Sequence, residues 1–499
     1  MQSGLFLLCW TPVLLLTLLA AFFRRPALDL SICGCVFTFA LVLFAFDTPW
    51  PVALFSVLDG LLTTLPLVLV IFAGILLSSL LMATGSLTRI VNWFMGAVRD
   101  AFHRNLLITL GVANFMEGAS VIAEPVVAPM LRAAGVSPLG SAALAIIGYA
   151  GLMTLEMAGI IVTILSLVTG LPIRELGLAS AWLSIPATLA MAAGVPIFLP
   201  ESAPGFRRWA LILACGLFLG VVALAAATYL GVAIAGMFAG LVLIFGLIML
   251  GSRRLTLSRP IVCDLAPFLL MIAALLVVNT VPFLKEVAFR RLTLAVHIVP
   301  FHTITYRPFF SAYLYLFLAF ALAVILLPIA RAQVRDVIGA GIRKGWRPSV
   351  AMGLFGAMGQ MIAFSGYAPD FTHLDQVHNI PWILSHGLKT YTGTLYPVFV
   401  PFLGWVGTFL TGYGTAALML FGQLQVQAAE LLGTSATWLS AGLAVGASIG
   451  SISSPFKIAI ATPMCGALGQ EGAILRRTIP LGMAASFFIG LILWIALKL

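Results

Sequence analysis

Uninterrupted apolar runs, rather than the alternation of a half-buried sheet, set the pattern of this chain. About twelve stretches approach the ~20 apolar residues that a helix needs to cross a bilayer. Clear examples are 30–46, 52–82, 209–229, 232–250, 261–284 and 309–330. The segments between them are short, and none is polar enough to form a soluble domain. The pattern predicts an all-α polytopic membrane protein with about twelve transmembrane helices, built as one integral membrane unit over residues 1–499. Pro66 allows a break inside the long 52–82 run, and Gly231 marks a hairpin between two helices.

Composition agrees with the pattern. Of 499 residues 62% are hydrophobic and 8% charged, and the mean hydropathy is +1.14, which leaves too little polar surface for a soluble fold. The net charge of +10 does not point to nucleic acid, because the basic residues sit in short connections as the positive-inside rule expects. Arg24 and Arg25, then Arg89, Arg99 and Arg104, mark cytoplasmic ends, as do 201–208 with Arg207 and Arg208, and Arg253, Arg254 and Arg259. The segment 331–347, read as a loop, is the strongest such anchor, and Arg476 and Arg477 follow the same rule. The first run, 5–23, has its basic residues after it and exceeds a signal-peptide core, so it reads as an uncleaved helix with its N-terminus outside. One connection disagrees. Lys285, Arg290, Arg291 and Arg307 fall in 285–307, which this scheme puts outside; a position along the membrane interface would reconcile it.

Two stretches, 106–171 and 394–469, resemble each other. One begins Phe115-Met-Glu-Gly118 and the other Phe409-Leu-Thr-Gly412, and each reaches a Gly-x-Ser step, Gly135-Val-Ser137 and Gly433-Thr-Ser435. In the topology above they cross the membrane in opposite directions. Both carry helix breakers, including Gly118, Pro125 and Pro129 in one and Gly412, Gly414, Gly450, Pro455 and Pro463 in the other. Inverted repeats containing broken helices or re-entrant hairpins are a secondary-transporter architecture. Irregular backbone at membrane depth persists where it is buried in protein or lines a cavity, and helix N-termini there present free N–H groups to an anion. The alternative is that the glycines serve helix packing.

Charges in apolar surroundings carry the chemistry. Glu117, Glu124 and Glu156 lie in a stretch with a single basic residue, Arg132. A carboxylate at membrane depth marks a substrate or proton pathway by default, and one in low dielectric can exchange a proton near neutral pH. These three are the candidates for proton coupling, Glu117 first; a purely structural role holding helices together is the alternative. Lys457, a lone ammonium in an apolar segment, needs a partner: an anionic substrate, or Glu124 across the two repeats. Ser451, Ser453, Ser454, Gly412, Gly414, Thr415 and Ser120 complete the candidate substrate site. His373, Asp375 and His378 have metal-ligand chemistry but no zinc spacing, and read as a solvated loop. The six cysteines are scattered in apolar surroundings and suggest neither disulfides nor a metal site. With no phosphate-binding loop and no hydrolase motif, neither ATP-driven pumping nor an enzyme is expected, and no cofactor is called for.

At these residues the chain resembles the L-lactate permease family of bacterial transporters. The matching stretches are Phe115-Met-Glu-Gly-Ala119 with Pro125-Val126, Val168-Thr-Gly170, and Gly404-Trp-Val-Gly-Thr-Phe-Leu-Thr-Gly412. They continue with Leu420-Phe-Gly422, Leu424-Gln425, Ser454-Pro455, Ile458-Ala459 and Gly469-Gln-Glu-Gly472 leading into Arg476. The resemblance implies a proton symporter of lactate, glycolate and similar 2-hydroxy monocarboxylates in the bacterial inner membrane. Three places depart from the family pattern: Ser120-Val-Ile-Ala-Glu124, Tyr413-Gly-Thr-Ala-Ala-Leu418 and Phe456-Lys457 replace stretches that are usually more polar or uncharged. The expected partners are a small organic anion, protons and the lipid bilayer. A transporter or exchanger of a different anion, and a transport-inactive membrane protein of the same fold, remain alternatives. The sequence leaves oligomeric state open.

Overall fold

The computed structural model describes residues 2–21, 23, 25–96, 98, 100–199, 205–250, 258–300 and 302–498. Of the residues used above to orient the chain, Arg24, Arg99, 201–204, Arg253 and Arg254 lie outside this set. Among the described residues nine helical stretches are long and apolar enough to cross a membrane: Ala27–Phe44, Trp50–Ala83, Ile173–Phe198, Phe206–Tyr229, Val232–Leu250, Arg259–Thr280, Ile380–Thr411, Ala436–Ser453 and Glu471–Ala496. Three shorter apolar helices, Pro138–Ala150, Met157–Thr169 and Ala312–Leu326, accompany them. The architecture is that of a polytopic helical membrane protein.

Local sequence explains the breaks. The 52–82 run divides into Trp50–Thr63 and Leu65–Ala83, with Pro66 near the start of the second helix, where its missing N–H costs nothing. The Gly231 turn joins Phe206–Tyr229 to Val232–Leu250. One expectation needs correction. The basic segment 331–347 is not a loop; it is the first part of a single helix, Arg331–Ala363. The basic connection 285–307 carries secondary structure of its own. After a short helical turn it forms a two-stranded antiparallel hairpin, Leu294–Val299 paired with His302–Tyr306, the only sheet among the described residues.

The hairpin is tied to the bundle by His302. Its Nδ1 lies 2.9 Å from Asp59 Oδ2 and its Nε2 2.8 Å from the Leu167 carbonyl. Both ring nitrogens face acceptors, so the ring satisfies both only as an imidazolium. Burial disfavours that charge, but the hydrogen bond and charge of Asp59 outweigh it and hold the His302 pKa above its usual value. A pKa raised by folding stabilises the fold fully below the unfolded value, and the gain is lost as pH rises through the folded value. The thermal unfolding of His302→Gln should therefore fall furthest below that of the parent at about pH 6 or lower. The gap should close on the alkaline side; a gap independent of pH would rule out the charged pair.

The two segments singled out above share one element order. The first runs Ala101–Leu106, Leu107–Val112 as a π-helical turn, and Ala113–Gly118, and is interrupted before Glu124–Ala133. It turns back through Pro138–Ala150 and is interrupted again before Ile160–Thr169. The second runs Tyr396–Thr411, an interruption at Gly412 and Tyr413, then Gly414–Leu432. It turns back through Ala436–Gly450 and Ser451–Ser453, then continues after Ser454 as Pro455–Cys465. The two turns are built alike: Gly135 and Gly433 have φ of 94° and 64°, and Ser137 and Ser435 cap the helices that follow. The interruptions meet in the core, where Ser451 Oγ lies 2.9 Å from Met153 Sδ and Thr154 Oγ1 bonds Ser448 Oγ.

Candidate functional site

The first interruption redirects the chain between Gly118 and Glu124. Ser120 sits there at φ 59°, a left-handed conformation that a side chain adopts at a cost. The Leu65–Ala83 helix passes so close that only Gly74 fits against the Ser120 carbonyl. This bend folds Glu117 back over its own chain, and its Oε2 accepts the Ala123 N–H at 3.1 Å. Glu124 opens the next helix and accepts the Tyr149 hydroxyl at 2.7 Å.

Lys457 reaches the same point from the other segment. Ser454 caps the Pro455–Cys465 helix by accepting the Lys457 N–H, which fixes the first turn. The Lys457 Nζ then lies 3.1 Å from Glu124 Oε1, 3.6 Å from Glu117 Oε1 and 5.2 Å from the centre of the Tyr149 ring. Two carboxylates and one ammonium therefore share a site in which all three side chains are at least nine-tenths buried. Charges this deep are held only by mutual pairing and hydrogen bonds. With both carboxylates ionised the cluster carries one surplus negative charge, and a single proton makes it neutral.

A cavity of about 820 Å³ reaches this cluster. Asp29, Lys344 and Arg347 line it, together with Glu117, Ser120, Thr415 and Lys457. The rest of its wall is largely apolar, with Met153, Met157, Ile161, Tyr413, Phe456 and Ile460. The Gly414–Leu432 helix starts at this wall, and its preceding residue Tyr413 supplies no side-chain cap, so Gly414 and Thr415 offer backbone N–H groups there. The rings of Tyr413 and Phe456 lie 5.1 Å apart and bring the two interruptions of the second segment together.

Not every candidate lies on the cavity. Glu117, Ser120, Gly414, Thr415 and Lys457 do. Glu124 sits behind Lys457. Gly412, at φ 82°, turns the chain against Phe456. Ser453 Oγ donates to the Thr478 carbonyl and Ser451 packs on Met153, so both hydroxyls are engaged within the protein. Glu156 is fully buried, and neither carboxylate oxygen has a hydrogen-bond partner among the described residues. Tyr149 was missed by the sequence reading; a phenol inside an otherwise apolar helix needs a partner, and that was the available signal.

Comparison with known proteins agrees with this architecture. The family model for L-lactate permease matches residues 5–499. The L-lactate permease of Salmonella typhimurium is 23% identical over 540 aligned positions, covering 97% of this chain and 95% of that protein. The L-lactate permease of Streptococcus iniae is 24% identical, covering 86% and 92%. Glycolate permease GlcA of Escherichia coli is 40% identical over 101 residues, a match that spans 20% of this chain and 18% of that protein. With a family model spanning nearly its whole length, this multi-pass membrane protein belongs to the L-lactate permease family, whose members are transporters rather than enzymes.

Proposed function

We propose that the protein moves a small organic monocarboxylate, such as lactate or glycolate, together with protons. The observation that carries this reading is the pairing of one buried ammonium with two buried carboxylates, with Lys457 and Glu117 lining a cavity. Lys457 offers the substrate carboxylate a positive charge, and the N–H groups of Gly414 and Thr415, with the Ser120 hydroxyl, complete the anion site. Glu117 is the proton carrier. It faces the cavity, and its protonation releases Lys457 from one of its two carboxylate partners. Glu124, with its Tyr149 hydrogen bond, holds Lys457 in place throughout, and Glu156 is a third buried carboxylate near the path.

The segments 106–171 and 394–469 are, in this reading, inverted repeats within a bundle of about twelve crossings, and their interruptions form the binding site near the bilayer midplane. A second reading has one specific support. The cavity that Lys457 lines is walled by Phe456, Tyr413, Ile460 and four methionines, which suits a less hydroxylated acid than lactate.

The test is uptake of labelled L-lactate, glycolate and propionate into proteoliposomes, with and without an inward proton gradient. Gradient-stimulated uptake of the hydroxy acids is the expected result. Uptake of propionate alone would transfer the assignment to non-hydroxylated acids. Lactate exchange that ignores the gradient would remove the proton from the mechanism.

A further inference from the structure

The basic residues of 285–307 conflict with a cytoplasmic bias for positive charge, and the structure gives them a different occupation. Lys285, Arg290 and Arg307 line a second pocket, of about 520 Å³, and Arg174 joins them from the start of the Ile173–Gly194 helix. The single carboxylate on this rim, Glu286, is already paired with Arg291 at 3.1 Å. Among the described residues no carboxylate forms an ion pair with Arg174, Lys285 or Arg290. Arg307 is held in place by the Phe289 carbonyl at 3.2 Å and by its position 4.2 Å over the Phe289 ring. The rim therefore carries net positive charge with three cations free to meet an anion.

This pocket is not a remote dimple. Ala158 and Gly159 line it, whereas Met157 lines the cavity that reaches Lys457. The two spaces thus adjoin one short interruption, Met157–Gly159. All three of its residues are left-handed, with φ of 49°, 51° and 74°. Tyr229 and Gly231, at the hairpin tip remote from Arg207 and Arg208, also line the pocket, which puts it at the end away from the cytoplasmic charges.

We propose that this pocket is an outer vestibule that collects small carboxylate anions by charge before they reach the buried site, using Arg174, Lys285 and Arg290. The inference rests on the transport reading above and extends it to a second site. Clefts lined by one sign of charge concentrate counter-ions and speed their arrival, and salt screens the effect. Raising ionic strength from about 0.01 M to about 0.15 M shortens the screening length from about 30 Å to about 8 Å.

The experiment measures initial uptake of labelled L-lactate and glycolate at both ionic strengths, in proteoliposomes of phosphatidylcholine alone and of phosphatidylcholine with phosphatidylglycerol. It compares the parent with Arg174→Gln, Lys285→Gln and Arg290→Gln combined. Arg331→Gln, Arg335→Gln and Arg343→Gln combined make an equal change in net charge elsewhere. The vestibule variant should raise the half-saturating concentration about threefold to tenfold at low salt, keep the saturating rate, and lose the parent's salt dependence. The control should keep the parent's behaviour. Unchanged half-saturation in the vestibule variant, with normal uptake by the parent, would overturn the vestibule alone. An effect equal in the control would assign it to net charge, and one seen only with phosphatidylglycerol would assign the cations to lipid headgroups; either overturns the proposal. No uptake by the parent would overturn the transport reading and this inference with it.

Discussion

Glu117→Gln should abolish accumulation of substrate against its gradient while leaving exchange of substrate for substrate largely intact. Glutamine has the shape of a protonated glutamate and can still accept the Ala123 N–H that Glu117 accepts at 3.1 Å. The substitution also removes the surplus negative charge of the cluster and leaves the 3.1 Å pair between Lys457 and Glu124 in place. No charge of the cluster is left without a partner, so the variant should fold. What it loses is the proton. A carrier locked in its neutral state can bind the anion on either side and return loaded, but it cannot release a proton to complete a net cycle. Proton-driven uptake should fall by at least about a hundredfold, the range lost when an essential proton-transfer group is removed. Counterflow in preloaded vesicles should stay within a few-fold of the parent. If Glu117→Gln still accumulated lactate under a proton gradient, coupling would pass to another carboxylate. Glu156 would be the first to consider, because neither of its oxygens has a hydrogen-bond partner among the described residues.

How much of this could be read in the sequence depended on the kind of signal. A charge in an apolar run stands out wherever the chain goes, which is why Glu117, Glu124, Glu156 and Lys457 were legible. Glu124 was a candidate partner of Lys457 from the sequence, and the two do pair at 3.1 Å; that Glu117 shares the same ammonium was harder to see. It depends on the bend from Gly118 to Glu124, where Ser120 takes a left-handed conformation and Gly74 lets a neighbouring helix close in. Spacing along an ideal helix says nothing about such a bend. Serines misled for another reason. Ser451-Ile-Ser-Ser454 suggests an anion cradle, yet the Ser453 hydroxyl goes to Thr478 and that of Ser454 caps its own helix, because buried backbone groups need partners first. The helix over 331–347 was hidden by composition, since arginine and lysine favour helix as readily as they populate loops. The hairpin had a usable signal, two short runs rich in β-branched residues, Leu294–Val299 and His302–Tyr306, flanking a proline, but neither run is long enough to stand out among the apolar helices.

Lys457→Met should cost both stability and transport, and a second substitution should separate the two. Methionine keeps much of the side-chain volume and removes the ammonium. Glu124 is then left with the Tyr149 hydroxyl and Glu117 with the Ala123 N–H, two buried carboxylates facing each other without a cation. Removing one partner from a buried ion pair typically costs about 3–5 kcal/mol, because the remaining charge is uncompensated. The variant should unfold at lower temperature in detergent and take up no lactate. Adding Glu124→Gln removes one of the stranded charges and keeps an acceptor for Tyr149, so the double variant should recover most of the lost thermal stability. It should not recover transport, because the positive charge that meets the substrate carboxylate is still missing. Lys457→Arg, which keeps the charge but changes its shape and reach, should fold and bind substrate weakly. The readouts are the unfolding temperature, the fraction eluting as a single species on size exclusion, and uptake in proteoliposomes. Uptake by the Lys457→Met, Glu124→Gln double variant at the parent's rate would show that the ammonium only holds the helices together, and the anion site would then have to lie at the uncapped start of the Gly414–Leu432 helix.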